Sequence, residues 1–282
     1  MGNNADKAFS PAACGVHDDQ DTLGKAGGWR IRAGSIPLDG EITGTFLKFA
    51  NPLLSMFGHN YIEIIDSWGK VQGRVHGLGF SQNENGELVS GIHGERLYVL
   101  ALDPSNLEVD PFLHASPHAY IENALQCATS KNAVGKNYAA DVFSGSKRDA
   151  LILYANILNG AIAINNQDYR YNAFGQSESA PNSNSVALSL RRLMKNAAYA
   201  NDIQGVDHNF IAAGVAPGGG TKIPLPDPIT FKPDLKVYDL ETYMDELYHV
   251  LVSQVRQAYK AENLKNVDVN TPPPNVPFSL AR

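Results

Sequence analysis

The sequence predicts an α+β protein, because strand patterns fill its first half and helix patterns fill its second half. Up to about residue 102, short runs rich in β-branched and aromatic residues alternate with Gly, Asn and Asp. After Pro117, apolar residues recur at spacings of three and four, which is the period of a helix. The chain has 282 residues, of which 43% are hydrophobic and 18% charged, so it is long and apolar enough to build a core.

Four strands are predicted in the first half, and they begin at Trp29, Tyr61, Val71 and Arg96. Each run contains the β-branched or aromatic residues that fit a pleated, half-buried surface. The middle two strands are separated only by residues 66–70, whose Asp, Ser and Gly are typical of a tight turn. Gly69 can adopt the positive φ that such a turn often needs. We therefore expect these two strands to form an antiparallel hairpin.

Helices are predicted in the second half. The first two cover residues 119 to about 130 and 148 to about 159, where apolar residues follow the helical period. A third helix follows Pro181, and its apolar stripe consists of Val186, Leu190, Leu193 and Met194. The last is a long amphipathic helix that begins near residue 240 and ends at about residue 263.

The chain divides into three parts. Residues 1–28 are polar and glycine-rich without an apolar period, and we interpret them as an N-terminal arm. Residues 29–222 form the main domain, and residues 223–282 add a Pro-rich segment and the long C-terminal helix. The prolines and glycines of residues 216–234 exclude regular structure, which leaves either an ordered crossing loop or a linker. We expect the C-terminal helix to pack back on the main domain.

Charge and hydropathy argue against two classes of partner. With 23 Lys and Arg against 29 Asp and Glu, the formal charge is −6, which argues against nucleic-acid binding through a basic surface. No stretch is long and apolar enough for a transmembrane segment, so none is expected. Because the first residues also lack the basic start and apolar core of a secretory signal, we expect synthesis in the cytoplasm without such a signal.

No cofactor and no metal site are expected. Cys14 and Cys127 are the only cysteines, enough for one disulfide but too few for a disulfide framework or a four-cysteine zinc site. His114 and His118 have the spacing of helical zinc ligands, but Pro117 lies between them and no Glu accompanies them. The glycine-rich segments lack the Lys of a phosphate-binding loop, so a nucleotide site is not expected either.

Three segments together carry the residue types of an acyl-transfer site. His59 opens a strand directly after a glycine, where we expect its imidazole to be accessible at the end of the sheet. His76 lies on the next strand of the hairpin, so two neighbouring strands can hold two imidazoles side by side. Ser183 and Ser185 lie in the first turn of the third helix, where unpaired backbone N–H groups and the helix dipole favour a negative charge.

These segments resemble those of a known enzyme family. Gly-His at residues 58–59, Tyr-Ile-Glu-Ile-Ile-Asp-Ser-Trp-Gly-Lys at 61–70 and Val-His-Gly at 75–77 resemble the paired His strands of NlpC-like cell-wall peptidases. Residues 181–187, Pro-Asn-Ser-Asn-Ser-Val-Ala, are similar to the start of the nucleophile helix in circularly permuted members, such as the lecithin:retinol acyltransferase-like group. The resemblance covers about residues 29–220.

The resemblance implies a papain-like antiparallel sheet with packed helices in permuted order, because His59 and His76 precede Ser183. Ser183 stands where the family has cysteine, and a Ser hydroxyl needs a general base to remove its proton during attack. His59 is then the base, His76 holds the tautomer of His59, and N–H groups at the helix start stabilise the oxyanion. Ser185 is the reserve nucleophile.

The favoured function is hydrolysis of an amide bond by a Ser-His-His amidase or endopeptidase, and the resemblance implies peptidoglycan peptide as the substrate. A cell-wall substrate, together with the lack of a secretory signal, suggests a bacterial antibacterial effector or toxin. Such an effector is made in the bacterial cytoplasm and exported by a dedicated secretion system, and an immunity protein is its expected partner.

Two alternatives remain open at this point. The first is a lipid acyl hydrolase or acyltransferase of the same fold. The second is a catalytically inactive papain-like binding domain, which the replacement of cysteine by Ser183 directly suggests. Taken singly, each residue also fits a structural role, since Asn and Ser before an apolar stripe are typical helix caps. Cys127 is a weaker nucleophile candidate, because it lies in an apolar helical stretch where a thiol is usually inert.

Overall fold

The described strands form one antiparallel sheet, and the described helices pack against it. The computed structural model describes residues 28–37, 58–82, 88–90, 93–102, 138–172, 180–207 and 221–263. The strands are β1 (Trp29–Pro37), β2 (Gly58–Ile65), β3 (Val71–Gln82), β4 (Leu88–Ser90), β5 (His93–Leu102), β6 (Tyr138–Gly145) and β7 (Arg170–Asn172). The helices are α1 (Lys147–Asn165), α2 (Ser183–Ala200) and α3 (Val237–Asn263). This arrangement confirms the α+β class.

The sheet runs in the order β6-β1-β2-β3-β5-β7, and β4 pairs with β3 beside this path. β1, β2, β3 and β5 correspond to the strands expected from the sequence. β2 and β3 form the hairpin, and the carboxylate of Asp66 holds its turn. The Oδ1 atom of Asp66 accepts hydrogen bonds from the backbone N–H groups of Trp68 at 2.8 Å and Lys70 at 2.9 Å. Gly69 has the positive φ that the turn requires, 86°.

Sequence patterns do not reveal β4, β6 and β7. β4 and β7 have three residues each, too few to show an alternating pattern. β6 contains Ala and Asp, which are depleted in strands, and its pairing with β1 overrides this weak propensity. Several other expectations lie outside the described residues: the N-terminal arm up to residue 27, the helix at 119–130, Cys14, Cys127, His114 and His118.

One face of the sheet carries the core, and we call it the helix-facing face. It contributes apolar side chains to one buried cluster shared with all three helices: Ile31, Ile62, Ile64, Val75, Leu97 and Val99. α1 contacts the sheet, α2 and α3, and its residues 150–158 are all buried. A helix that is apolar on all sides is stable only in such a central position. None of the described helices is long and apolar enough to span a membrane.

The Pro-rich segment before α3 crosses the helices in an ordered path. Ile229 is held on both sides, because its N–H donates to Asn156 Oδ1 at 2.7 Å and its C=O accepts from Asn201 Nδ2 at 3.0 Å. The N–H of Ile223 donates to the Ser189 hydroxyl at 3.0 Å. A Pro-rich segment cannot form the regular backbone hydrogen bonds of a helix or sheet. Side chains of the helices therefore bond its backbone N–H and C=O groups instead. α3 then packs back on α1 within the same core.

A side chain of α1 forms hydrogen bonds with the backbone of β5 along the edge that also pairs with β7. Asn165 accepts a hydrogen bond from the Val99 N–H at 2.6 Å and donates to the Val99 C=O at 2.9 Å. Next to it, the N–H of Leu97 donates to the C=O of Tyr169 at 2.9 Å. A single buried amide therefore supplies the two bonds that a longer β7 would give to Val99.

Replacing Asn165 by Ala is expected to destabilise the fold by about 2–4 kcal/mol, because it leaves a buried N–H and a buried C=O of Val99 without these partners. Urea denaturation measures this loss as a lower midpoint at an unchanged slope. Asn159→Ala, at a half-buried asparagine of the same helix, is the matched control and should change stability by about 0.5 kcal/mol or less. Equal losses in both variants would contradict the role assigned to Asn165.

Candidate functional site

The candidate site is built on the first turn of α2, which begins at Ser183 after the N-cap residue Asn182. The side-chain oxygen of Asn182 accepts hydrogen bonds from the N–H groups of Asn184 and Ser185, each at 3.0 Å. In return, the Ser185 hydroxyl accepts from the N–H of Asn182 at 3.3 Å and donates to its Oδ1 at 3.2 Å. The structure therefore places Ser185, the reserve nucleophile, in a capping box.

The capping box uses most of the donors at the helix start. A helix has four N–H groups before its own ladder begins, and here they belong to residues 182–185. The box engages those of Asn182, Asn184 and Ser185. The N–H of Ser183 has no acceptor among the described residues. Of the several helix-start donors expected to stabilise an oxyanion, only this one is not used by the cap.

α2 approaches the sheet very closely at Gly77 of β3. A Cβ atom at Gly77 would lie 2.7 Å from Val186 Cγ2 and 3.3 Å from Ser183 Cα. Real Cβ atoms do not approach other atoms to 2.7 Å, so only glycine permits this contact. Ser183 consequently lies against the helix-facing face of the sheet and is only 4% exposed.

The start of β2 is tied to the same turn of α2. The N–H of Asn60 donates to Asn184 Oδ1 at 3.1 Å, and both residues are buried. His59 directly precedes Asn60 in β2, so this bond brings position 59 of the chain close to the turn that carries Ser183. The structure describes the backbone of His59 but not its side chain.

His76 lies on the other face of the sheet, which we call the far face. It is fully buried and pairs with Tyr61 of β2. Its neighbours in β3, Val75 and Gly77, are on the helix-facing face, and successive strand residues point to opposite faces. The sheet therefore lies between His76 and Ser183.

The structure does not bring together all the residues expected to form one site. Ser183 and His76 are on opposite faces, so His76 cannot take part in a group centred on Ser183.

Charged side chains form a row beside His76 on the far face. Arg74 and Glu63 are both buried and are joined by a bond of 2.8 Å. Arg32 lies 3.8 Å from Glu63 and 2.9 Å from Asp141, which extends the row across four strands. Burial alone lowers the pKa of Arg32, but the attraction of Asp141 and Glu63 more than offsets this, so its pKa is raised above the ordinary value.

Sequence reasoning missed several residues of both faces. Asn60 and Asn184 read as turn or cap residues, and their contact joins segments more than a hundred residues apart. Glu63 and Arg74 carry a usable signal, since each is the only Asp, Glu, Lys or Arg in its strand of the predicted hairpin. Opposite charges at such positions indicate a cross-strand pair.

Replacing Gly77 by Ala is expected to destabilise the protein by about 1–3 kcal/mol, because the new methyl group overpacks the contact with Val186. Val186→Ala removes the obstructing methyl groups, so the double variant should be more stable than additive losses predict. Urea denaturation of the two single variants and the double variant measures this coupling. Additive losses would show that α2 does not press on β3 at this point.

Comparisons with protein-family models, with curated proteins and with solved structures found no match for this chain. The candidate site is therefore defined by its own geometry. At the start of α2 a backbone donor, a hydroxyl and buried carboxamides lie on the helix-facing face, and the histidine at position 76 lies behind the sheet. This arrangement can hold a polar ligand by hydrogen bonds.

Proposed function

We propose that this domain binds a peptide at the start of α2 without cleaving it. The observation that supports this function is the separation of Ser183 from His76 by the sheet. An efficient serine nucleophile needs a general base at hydrogen-bond distance and a third group that orients this base, and His76, the residue expected to orient it, lies behind the sheet. The other hydroxyl of this turn, that of Ser185, is engaged in the capping box.

The resemblance of residues 29–220 to NlpC-like peptidases supports the bacterial cell-wall peptide as the ligand of this binding domain. Ser183 in the place of the family's cysteine is consistent with a domain that keeps the architecture of binding and has lost the nucleophile. Export by a dedicated secretion system and pairing with an immunity protein belong to the same proposal. Export gives a wall-binding domain access to its ligand.

A second candidate function is hydrolysis of an amide through Ser183 and His59. It is favoured by the N–H of Ser183, which has no acceptor among the described residues and can stabilise an oxyanion. In that reaction Ser183 Oγ attacks the carbonyl carbon, and the base passes the hydroxyl proton to the leaving amine as the C–N bond breaks. Water then hydrolyses the acyl-serine.

Wild-type protein is expected to sediment with insoluble peptidoglycan and to release no fragments from it. Mass spectrometry of the supernatant measures release, and the protein left in solution measures binding. Ser183→Ala should still bind, because the replacement leaves the backbone N–H of residue 183 and the capping box in place. Phospholipid vesicles are the parallel sample for the lipid acyl hydrolase alternative.

The same experiment identifies the hydrolase if it is the correct function. Fragments released by the wild type, and not by Ser183→Ala or His59→Ala, would overturn the binding proposal in favour of the second candidate. Thermal melts of each variant show whether a lost activity reflects unfolding. Ser67→Ala, at an exposed residue of the hairpin turn, is the matched control for a serine replacement.

Introducing a thiol tests the environment at the helix start. In Ser183→Cys the thiol is expected to ionise below its usual pKa of about 8.5, because the helix N-terminus favours the anion. The pH dependence of alkylation by iodoacetamide measures this pKa, with wild type giving the background of Cys14 and Cys127. Ser67→Cys should titrate near the usual value. The same pKa in both variants would show that the helix start does not stabilise negative charge.

A further inference from the structure

The carboxamide of Asn60 is the unexplained polar group of the site. Asn60 is 4% exposed, and its Oδ1 atom has no hydrogen-bond partner in the part of the chain that the structure describes. Buried acceptors are normally paired, because leaving one without a donor is costly. A buried acceptor without a donor is expected at a site where a bound ligand supplies that donor.

The neighbouring carboxamide oxygens are already engaged. Asn182 Oδ1 accepts from two backbone N–H groups and the Ser185 hydroxyl, and Asn184 Oδ1 accepts from the N–H of Asn60. Among the carboxamides around the start of α2, the acceptor of Asn60 is thus distinguished by its lack of a donor.

An unused acceptor and an unused donor lie close together on the helix-facing face. Asn60 shares the alternation of Ile62, which belongs to the core under the helices, so its side chain points toward α2. Its backbone is bonded to Asn184, the residue after Ser183. The N–H of Ser183 is the donor that the capping box does not use.

We propose that these two groups recognise an amide, with Asn60 Oδ1 accepting its N–H and the Ser183 N–H donating to its C=O. An amide offers both partners in one planar group. An ester of the same shape offers only the C=O and leaves Asn60 without a donor. This inference rests on the proposal that the start of α2 binds a ligand, and it names the group that is bound.

The test is a comparison of N-methylacetamide with methyl acetate, which differ in the N–H. Titration of the full chain, followed by NMR shifts of backbone amides in the first turn of α2, measures the dissociation constant of each probe. The amide is expected to bind about tenfold more tightly, the equivalent of 1.4 kcal/mol. Asn60→Leu, which has a similar shape but no acceptor, should reduce this preference to about twofold or less.

Two control variants separate recognition from folding. Asn60→Asp keeps an acceptor oxygen and should retain the preference for the amide. Asn159→Leu, at a half-buried asparagine of α1, should leave both dissociation constants unchanged. Thermal melts accompany every variant, and the wild-type ratio stands as a test even if Asn60→Leu does not fold.

The outcomes distinguish this inference from the proposed function. Equal affinity of the wild type for both probes, or an amide preference that persists in Asn60→Leu, would overturn the inference. Binding of neither probe would overturn it too, since an ordered water then suffices for Asn60. An Asn60-dependent amide preference combined with cleavage of peptidoglycan would overturn only the non-catalytic function, and the amide-recognising groups would then belong to the hydrolase.

Discussion

The absence of a side chain at Gly77 is the constraint on which the rest of the site depends. Because β3 presents no Cβ atom there, the first turn of α2 lies directly on the sheet, with Val186 and Ser183 in contact with the strand. A larger residue would lift the helix and separate the start of α2 from β2. The bond between Asn60 and Asn184 would then be lost. The positions of the proposed binding groups thus depend on a glycine within a strand.

The same strand also explains why the two faces of the sheet differ. On the helix-facing face, Gly73, Gly77 and Gly79 each lie under a side chain of a neighbouring element: Tyr154, Val186 and Tyr171. On the far face, Arg74 and His76 are buried beside Glu63. A buried ion pair contributes little net stability but is costly to break. The backbone of β3 therefore packs closely against neighbouring elements on the helix-facing face, and β3 contributes to a buried ion pair on the far face.

Much of the fold could be predicted from local patterns, because period and turn chemistry are local properties. The hairpin, α2 beginning at Ser183, and the long last helix all follow from residues within one element. The face on which His76 lies could not be predicted, since alternation gives relative positions and not the side that the helices cover. Asn60, Asn156 and Asn165 were missed for a related reason. Their partners are distant in sequence, and an asparagine alone is typical of a loop.

The bonds from Asn156 and Asn201 to Ile229 have a consequence for how the chain is divided. A composition shift near residue 222 marks a change in local stiffness, but the hydrogen bonds and the apolar cluster continue across it. α1 has no polar side to present to water if α3 and the crossing segment are removed. The crossing segment and α3 thus belong to the same core as the sheet, although the composition of the chain changes before them.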